Sequence, residues 1–208
     1  MPATIKSFDV AKQTVTVQIA INDEARKNGV ATTIPIKVLV DIPIMLYGSG
    51  NFTITVPVQA GDECLVVFAD RSIDAWFQSG GQQNQAAPRA HSLADGVAIL
   101  GLRNQTRKLA AYSADTLQIR SEDGATMIEV ADTAVSVKAT TFTVQAETVN
   151  ITASNTATIN SQGNLNVTAN GQVDIESASI NTKIDQRIYR THEHSGVTTG
   201  GGVSGPVL

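Results

Sequence analysis

The sequence predicts an all-β protein, in which an N-terminal antiparallel barrel is followed by a rod of short repeated strands. Three observations support this class. Short alternating stretches separated by turn residues fill the first half. After residue 130 the composition changes to Thr, Asn, Ser, Ala and Val, with few charges. Finally, apolar pairs recur at a short, nearly fixed interval along that second part.

The first 80 residues or so are predicted to contain five or six short strands. Residues 14–19 alternate in polarity, as a half-buried strand does. Residues 34–46 are apolar and β-branched but include two prolines, which favours two short strands or one bent strand at a sheet edge. A small antiparallel barrel accommodates this many strands, and an OB-like barrel is one of several choices. Further strands in this part are predicted at residues 52–56, 64–68 and 73–77, with a turn at Asn28-Gly29. One more strand is predicted at residues 95–102.

The second half contains a repeat of one short strand and one turn. The second members of successive apolar pairs lie 7, 7, 7, 8, 8 and 8 residues apart. The members of a pair are two residues apart and so share one face of a strand, whereas a coiled coil spaces its apolar residues three and four apart. The pairs are Ile128/Val130, Val135/Val137, Phe142/Val144, Val149/Ile151, Ala157/Ile159, Leu165/Val167 and Val173/Ile175.

These strands are predicted to belong to a homotrimer. One chain of such repeats has a thin core and two open edges, which is unstable or prone to aggregate. Three identical chains pair every edge and bury the small apolar residues around a three-fold axis. A β-helix made by one chain is the alternative, but its coils usually need about 20 residues, and seven or eight are too few.

Composition excludes several classes of function. The net charge is −4, so the chain lacks the basic surface that nucleic acid or anionic lipid requires. No apolar run is long enough for a membrane helix, and the N-terminus shows no secretory signal. The single cysteine, Cys64, is expected to be a small core residue.

Few residues have a type and spacing that suggest a catalytic site, and no enzymatic activity or small-molecule substrate is expected. Sequence motifs of hydrolases, zinc proteases and phosphate loops are absent. Asp70, Arg71 and Asp74 are acceptable catalytic residues in principle, but a structural salt bridge or a pairing between subunits is favoured. The adjacent carboxylates Asp62-Glu63 and Glu122-Asp123 are expected to be solvated turn residues, and His91 a hydrogen-bonded loop residue.

Residues 52–80 resemble the barrel domain of contractile-phage baseplate spikes, namely the baseplate assembly protein V and central-spike family, with VgrG as a more distant relative. The similarity lies in Gly61-Asp62, the apolar strand that follows, Asp70-Arg71-Ser72-Ile73-Asp74 and Trp76. Residues 91–99 resemble the family's link at the end of that barrel. The resemblance implies an OB barrel, a trimeric β-helix and a small histidine-bearing apex. No lysozyme domain fits between barrel and rod.

The apex contains the candidate metal site, Thr191-His192-Glu193-His194. In an extended chain His192 and His194 point to the same side, and three chains on one axis supply six imidazoles. Six imidazole nitrogens suit an octahedral first-row metal such as Fe(II). The resemblance likewise implies iron here, one per trimer, in a structural role.

The predicted organisation is an OB-fold barrel at residues 1–102, a connector at 103–115, a trimeric β-helix spike at 116–185 and an apex at 186–208. The resemblance implies a virion protein at the distal tip of a contractile tail baseplate. There the barrel binds the tail hub and the spike pierces the bacterial outer membrane. A tail-tip cell-wall hydrolase and a trimeric receptor-binding adhesin are the alternatives.

Overall fold

The computed structural model describes residues 1–178 and the backbone of residues 183–184 and 187–188. The chain divides into two compact units, Met1–Val144 and Gln145–Leu208. Strands dominate the described part, and its one α-helix is short. The elements are β1 (Pro2–Asp9), β2 (Thr14–Ile19), β3 (Asp23–Lys27), β4 (Val30–Ile34), β5 (Leu39–Met45), β6 (Tyr47–Ser49), β7 (Phe52–Ile54), β8 (Glu63–Phe68), α1 (Asp74–Ser79), β9 (Gly96–Leu100), β10 (Leu117–Arg120), β11 (Met127–Val130), β12 (Val135–Lys138), β13 (Lys183–Ile184) and β14 (Arg187–Ile188).

Five strands close into a barrel in the order β1-β2-β5-β9-β8, with β8 pairing back onto β1. This confirms the all-β prediction and the N-terminal barrel. The barrel is not wholly antiparallel, because β5 and β9 run parallel. A closed ring with an odd number of strands cannot alternate direction at every pair, so at least one parallel pair is unavoidable.

The barrel core consists of small and β-branched side chains. The inward positions of β2 are occupied by Val15, Val17 and Ile19, which the alternation in the sequence predicts. Cys64 is fully buried, as expected of a small core residue, and burial raises the pKa of its thiol. The remaining buried apolar residues are Ala3, Ile5, Ile42, Val66 and Ala98.

Two local predictions are wrong. Residues 73–77 do not form a strand, because Asp74–Ser79 is a short α-helix. Asp74 lies in its first turn, where a carboxylate interacts favourably with the helix dipole. Residues 34–46 do not form a sheet edge either, because β5 pairs with β2 on one side and β9 on the other. Pro43 is tolerated there because it pairs at the last position of the β2–β5 ladder, where a missing N–H costs little.

Two hairpins extend from the barrel strands. In the first, β3 pairs with β4 across the predicted Asn28-Gly29 turn, and both turn residues have the positive φ angles, 55° and 81°, that such a tight turn requires. In the second, β6 pairs with β7. Every residue of these four strands is exposed.

The region predicted as a rod begins with a three-stranded antiparallel sheet, β10-β11-β12. It contains the first two apolar pairs, Ile128/Val130 on β11 and Val135/Val137 on β12. Residues 139–178 form no strand pairing within the described chain. Their backbone bends instead at residues 140, 147, 154–155, 162–163, 170–171 and 178, at intervals of seven or eight.

Gly96 provides a test of how tightly the barrel core is packed. A Cβ at this position would lie 2.8 Å from Val66 Cγ1 and 3.4 Å from Ile42 Cδ1. Gly96→Ala is therefore expected to lower the free energy of unfolding by about 1–3 kcal/mol, because the core cannot accommodate the methyl group. Chemical denaturation of the variant measures this cost.

The double variant Gly96→Ala/Val66→Ala distinguishes crowding from a general effect at Gly96. Removing the Val66 methyls makes room for the new Cβ, so the double variant should lose less stability than the sum of the two single variants. Strict additivity would contradict the crowding explanation.

Candidate functional site

The predicted metal ligands His192 and His194 lie outside the residues that the structure describes, so their geometry stays a prediction. Within the described residues, no three His, Cys, Asp or Glu side chains lie close enough together to bind a metal ion. The described residues also include an ion-pair cluster beside α1 and two exposed apolar surfaces.

Asp70, Arg71 and Asp74, which the sequence places together, divide between two separate groups. Arg71 Nε lies 3.3 Å from Asp70 Oδ2, and His91 Nε2 lies 3.0 Å from Asp70 Oδ1, at side chains that are all well exposed. Asp74 instead accepts a hydrogen bond of 2.7 Å from Arg89 Nη2. The His91 backbone N–H donates to the Asp70 carbonyl at 3.2 Å, so His91 is a hydrogen-bonded loop residue as expected. The favoured salt-bridge interpretation holds for Asp70, Arg71 and Asp74.

Asp95 is the residue of this cluster that sequence reasoning missed. Its side chain is completely buried, and Arg89 donates to both of its oxygens, at 2.7 Å and 2.8 Å. The Ile73 backbone N–H donates a further bond of 3.0 Å. The hydrogen bonds from Arg89 lower the pKa of Asp95, with the Ile73 N–H adding to the effect against the cost of burial. In the sequence, Asp95-Gly96 is indistinguishable from an ordinary turn.

The hydrogen bonds of Asp95 suit a structural role. A catalytic carboxylate needs a free lone pair or a proton to transfer, whereas the oxygens of Asp95 are occupied by an arginine and a backbone amide. Asp95, Arg89 and Asp74 connect the start of α1 to the residue that precedes β9. They therefore connect distant parts of the long loop between β8 and β9.

The adjacent carboxylates also form local contacts. Asp62 Oδ2 accepts the Gln59 N–H at 2.8 Å and so closes a turn. Asp123 accepts from Ser121 Oγ at 2.6 Å and from the Ala125 N–H, and these bonds lower its pKa. A hydrogen bond from Arg103 lowers the pKa of Glu122. Asp62, Glu122 and Asp123 remain partly or largely exposed, as expected of solvated turn residues. The prediction is wrong for Glu63, which is the first residue of β8 and has its Oε2 buried.

An apolar groove lies on the barrel beside the β6–β7 hairpin. It has a volume of about 350 Å³ and is bordered by β5, the hairpin and the end of β9. Phe52, at the end of the hairpin, is 83% exposed. The residues lining the groove are Met45, Leu46, Tyr47, Ile54, Val56, Ile99, Leu100 and Gly101.

The second apolar surface runs along the repeats. Every residue from 132 to 178 is exposed in the single chain, including both members of each apolar pair in that range. The exposed fraction reaches 82% at Ile151 and 78% at Ile159. Exposed apolar side chains in a regular pattern are typical of surfaces that take part in protein interactions.

No helix within residues 1–178 is long and apolar enough to cross a membrane.

Replacement of Asp95 tests the structural role of the cluster. Asp95→Asn retains the shape but removes the charge that accepts both bonds from Arg89, and it should lower the free energy of unfolding by about 1.5–3 kcal/mol at neutral pH. The control Asp70→Asn removes an exposed pair and should cost less than about 1 kcal/mol. Equal losses for the two variants would contradict the role assigned to the buried carboxylate.

The pH dependence of stability gives a second readout. Because the folded pKa of Asp95 is lowered, its contribution is present above the ordinary aspartate pKa of about 3.9 and is lost as pH falls through the folded value. The difference in melting temperature between wild type and Asp95→Asn should therefore shrink on acidification from pH 7 to pH 3. A difference that is unchanged by acid would show that Asp95 contributes no charge-dependent stability.

Comparison with known proteins bears on the barrel alone. Residues 1–101 match the family model described as phage protein Gp138, N-terminal domain. No curated protein matches the chain. The family model makes no reference to baseplate assembly protein V or VgrG, so that finer resemblance stays a prediction. The match indicates that this chain is a phage protein, and it supports a structural, virion-associated role.

Proposed function

We propose that this chain is the central spike of a contractile phage tail baseplate, a homotrimer that pierces the bacterial outer membrane by mechanical force. The observation that supports this most directly is the exposed apolar repeat between Ile128 and Ile175. The phage-protein domain at residues 1–101 supplies the context.

A single chain cannot bury its own repeats. The seven apolar pairs occupy short segments, and no segment within residues 139–178 forms a strand pairing in the described chain. Unpaired backbone groups and uncovered apolar side chains both cost free energy. Partner strands from other copies satisfy both requirements at once.

The periodicity favours identical partners in register. Bends at every seventh or eighth residue give each chain a series of short, equivalent segments. Identical chains around one axis place equivalent segments at the same level, so the same pairing between chains repeats along the axis. Small side chains recur on the apolar face, such as Val144 with Ala146 and Val167 with Ala169, and these suit a narrow interior around a three-fold axis. A closed, symmetric assembly also avoids growth into filaments.

The barrel is proposed to attach the trimer to the tail hub. The barrel forms its own core, so it can fold independently of the repeats. Its apolar groove and the exposed Phe52 provide a contact surface of the kind that protein interfaces use. In this arrangement sheath contraction pushes on the barrel and the rod transmits the force to the membrane.

The apex is proposed to be held together by one structural iron bound by His192 and His194 of three chains. Six filled ligand positions leave no open site for a substrate. A metal that binds only the assembled trimer stabilises that trimer through linkage.

The first test of the proposal concerns assembly. Ile151→Asp would place three like charges around one axis, and unpaired buried charge is very costly, so the trimer should fail to form. Thr152→Asp, one residue away and on the opposite face of an extended strand, is the matched control and should assemble normally. Sedimentation of wild-type chains of 21.9 kDa, at micromolar concentration, should show trimers.

Two results would contradict the trimeric rod. The first is a folded, monomeric wild-type chain. The second is a trimer that forms equally well with Ile151→Asp and with Thr152→Asp, since Ile151 would then face solvent.

The second test concerns the apex. Protein purified without a histidine tag should contain one iron per three chains by elemental analysis, and the double variant His192→Ala/His194→Ala should contain none. The trimer should persist in this variant, because the repeats contain their own apolar surface. Metal-free wild-type trimers, or one metal per chain, would contradict a shared six-histidine site.

A further inference from the structure

The connector between barrel and repeats contacts both of its neighbours. It follows β9 at residue 101 and reaches β10 at Leu117, entirely within the compact unit Met1–Val144. Although it has no regular secondary structure, its side chains form hydrogen bonds to the barrel turn at residues 59–63 and to the β10–β11 turn at residues 121–126.

Asn104 joins the connector to the barrel. Its Nδ2 donates to Glu63 Oε1 on β8 at 2.7 Å. Its Oδ1 accepts from the Thr106 N–H at 2.8 Å, from Thr106 Oγ1 at 2.7 Å and from the Arg107 N–H at 3.1 Å. One amide side chain thus closes the connector's own turn and binds that turn to a barrel strand.

Arg107 forms the second link to the barrel. Its Nη1 donates to the Gly61 carbonyl at 2.9 Å, and its Nη2 lies 3.8 Å from Asp62 Oδ1. Gly61 itself belongs to the barrel backbone, since its N–H donates to the Ile5 carbonyl on β1. The guanidinium therefore binds a turn that is already fixed by the barrel.

Arg103 and Arg120 complete the connection on the other side. Arg103 Nη1 donates to Glu122 Oε1 at 3.0 Å and to the Arg107 carbonyl at 3.2 Å. Arg120, on β10, donates to the Ala111 carbonyl at 2.8 Å and to the Glu122 carbonyl at 3.2 Å. These groups surround a cavity of about 400 Å³ between barrel and sheet.

We propose that Asn104, Arg107, Arg103 and Arg120 form a junction network that locks the connector, so that the barrel and the β10–β12 sheet move as one rigid body. Single exposed ion pairs contribute little, but here each group shares a partner or a backbone segment with the next. Opening the junction therefore requires several bonds to break together. The lock depends on contacts within one chain and not on the trimer.

The network has a mechanical consequence that rests on the proposed function. A spike loaded along its axis buckles at its most flexible joint. A locked connector removes a joint between the barrel, which receives the load, and the first sheet of the rod, which transmits it.

Two substitutions separate the roles of the network. Asn104→Asp retains the oxygen that closes the connector turn but replaces the donor to Glu63 with a carboxylate facing another carboxylate, so the link to the barrel is lost. Thr106→Ala removes one donor to Asn104 and leaves that link intact, which makes it the matched control. Trypsin cleaves after Arg103, Arg107 and Lys108, and neither substitution removes any of these sites.

The full-length chain is digested with trypsin under native conditions, and cleavage within residues 103–108 is followed by mass spectrometry. Asn104→Asp should be cleaved there about tenfold faster than wild type, because the locally open connector is more populated. Thr106→Ala should match wild type within about twofold. The melting temperature of the barrel should not differ among the three proteins.

Equal cleavage rates for Asn104→Asp and Thr106→Ala would overturn the proposal. It would also fall if Asn104→Asp lowered the barrel's melting temperature or accelerated cleavage after the exposed Arg71, since Asn104 would then stabilise the barrel as a whole. The assay compares one chain with its variants in the same oligomeric state. A monomeric wild type would therefore refute the trimeric rod, but the comparison of cleavage rates would still test the junction network.

Discussion

Apolar side chains that alternate along a strand must be covered, and the architecture follows from how each half of the chain meets that requirement. In the first half β8 pairs back onto β1, so one closed surface encloses the side chains of five strands and leaves no ladder edge open. In the second half strand pairing within the chain continues through β10-β11-β12, and residues 139–178 form no strand. Their apolar side chains stay exposed in the single chain.

The side-chain sizes of the two halves agree with this difference. Trp76 and all the phenylalanines except Phe142 lie in the region that folds within one chain. The repeats instead use Val, Ile, Leu and Ala, with Thr, Ser and Asn between them. Of these aromatic residues, Phe8 and Phe68 pack against the barrel core, whereas Phe52 and Trp76 are exposed, so the core itself consists of small and β-branched side chains.

The polar contacts of the described residues hold loops and turns in place. The buried Asp95 has both of its oxygens bound by Arg89, and Asp62, Glu122 and Asp123 close turns or connect segments. Each group stabilises a loop that would otherwise be long and free. The β8–β9 loop is fixed by Arg89 and Asp95, and the connector by Asn104 and Arg107.

The sequence by itself determined the all-β class, the position of β2 and β8, the hairpin turn at Asn28-Gly29 and the period of the repeats. These features are local, since alternation and turn residues act within a few positions of one another. Only the tertiary structure decided the strand order, the parallel β5–β9 pair, the short helix α1, the placement of Pro43 on a strand with a neighbour on each side, and the partners of Asp95 and Asn104. Those depend on segments that are distant in sequence and meet only when the barrel closes. No sequence pattern predicts which carboxylate an arginine will bind. The spacing of the apolar pairs, in contrast, predicts that their exposed faces need to be covered.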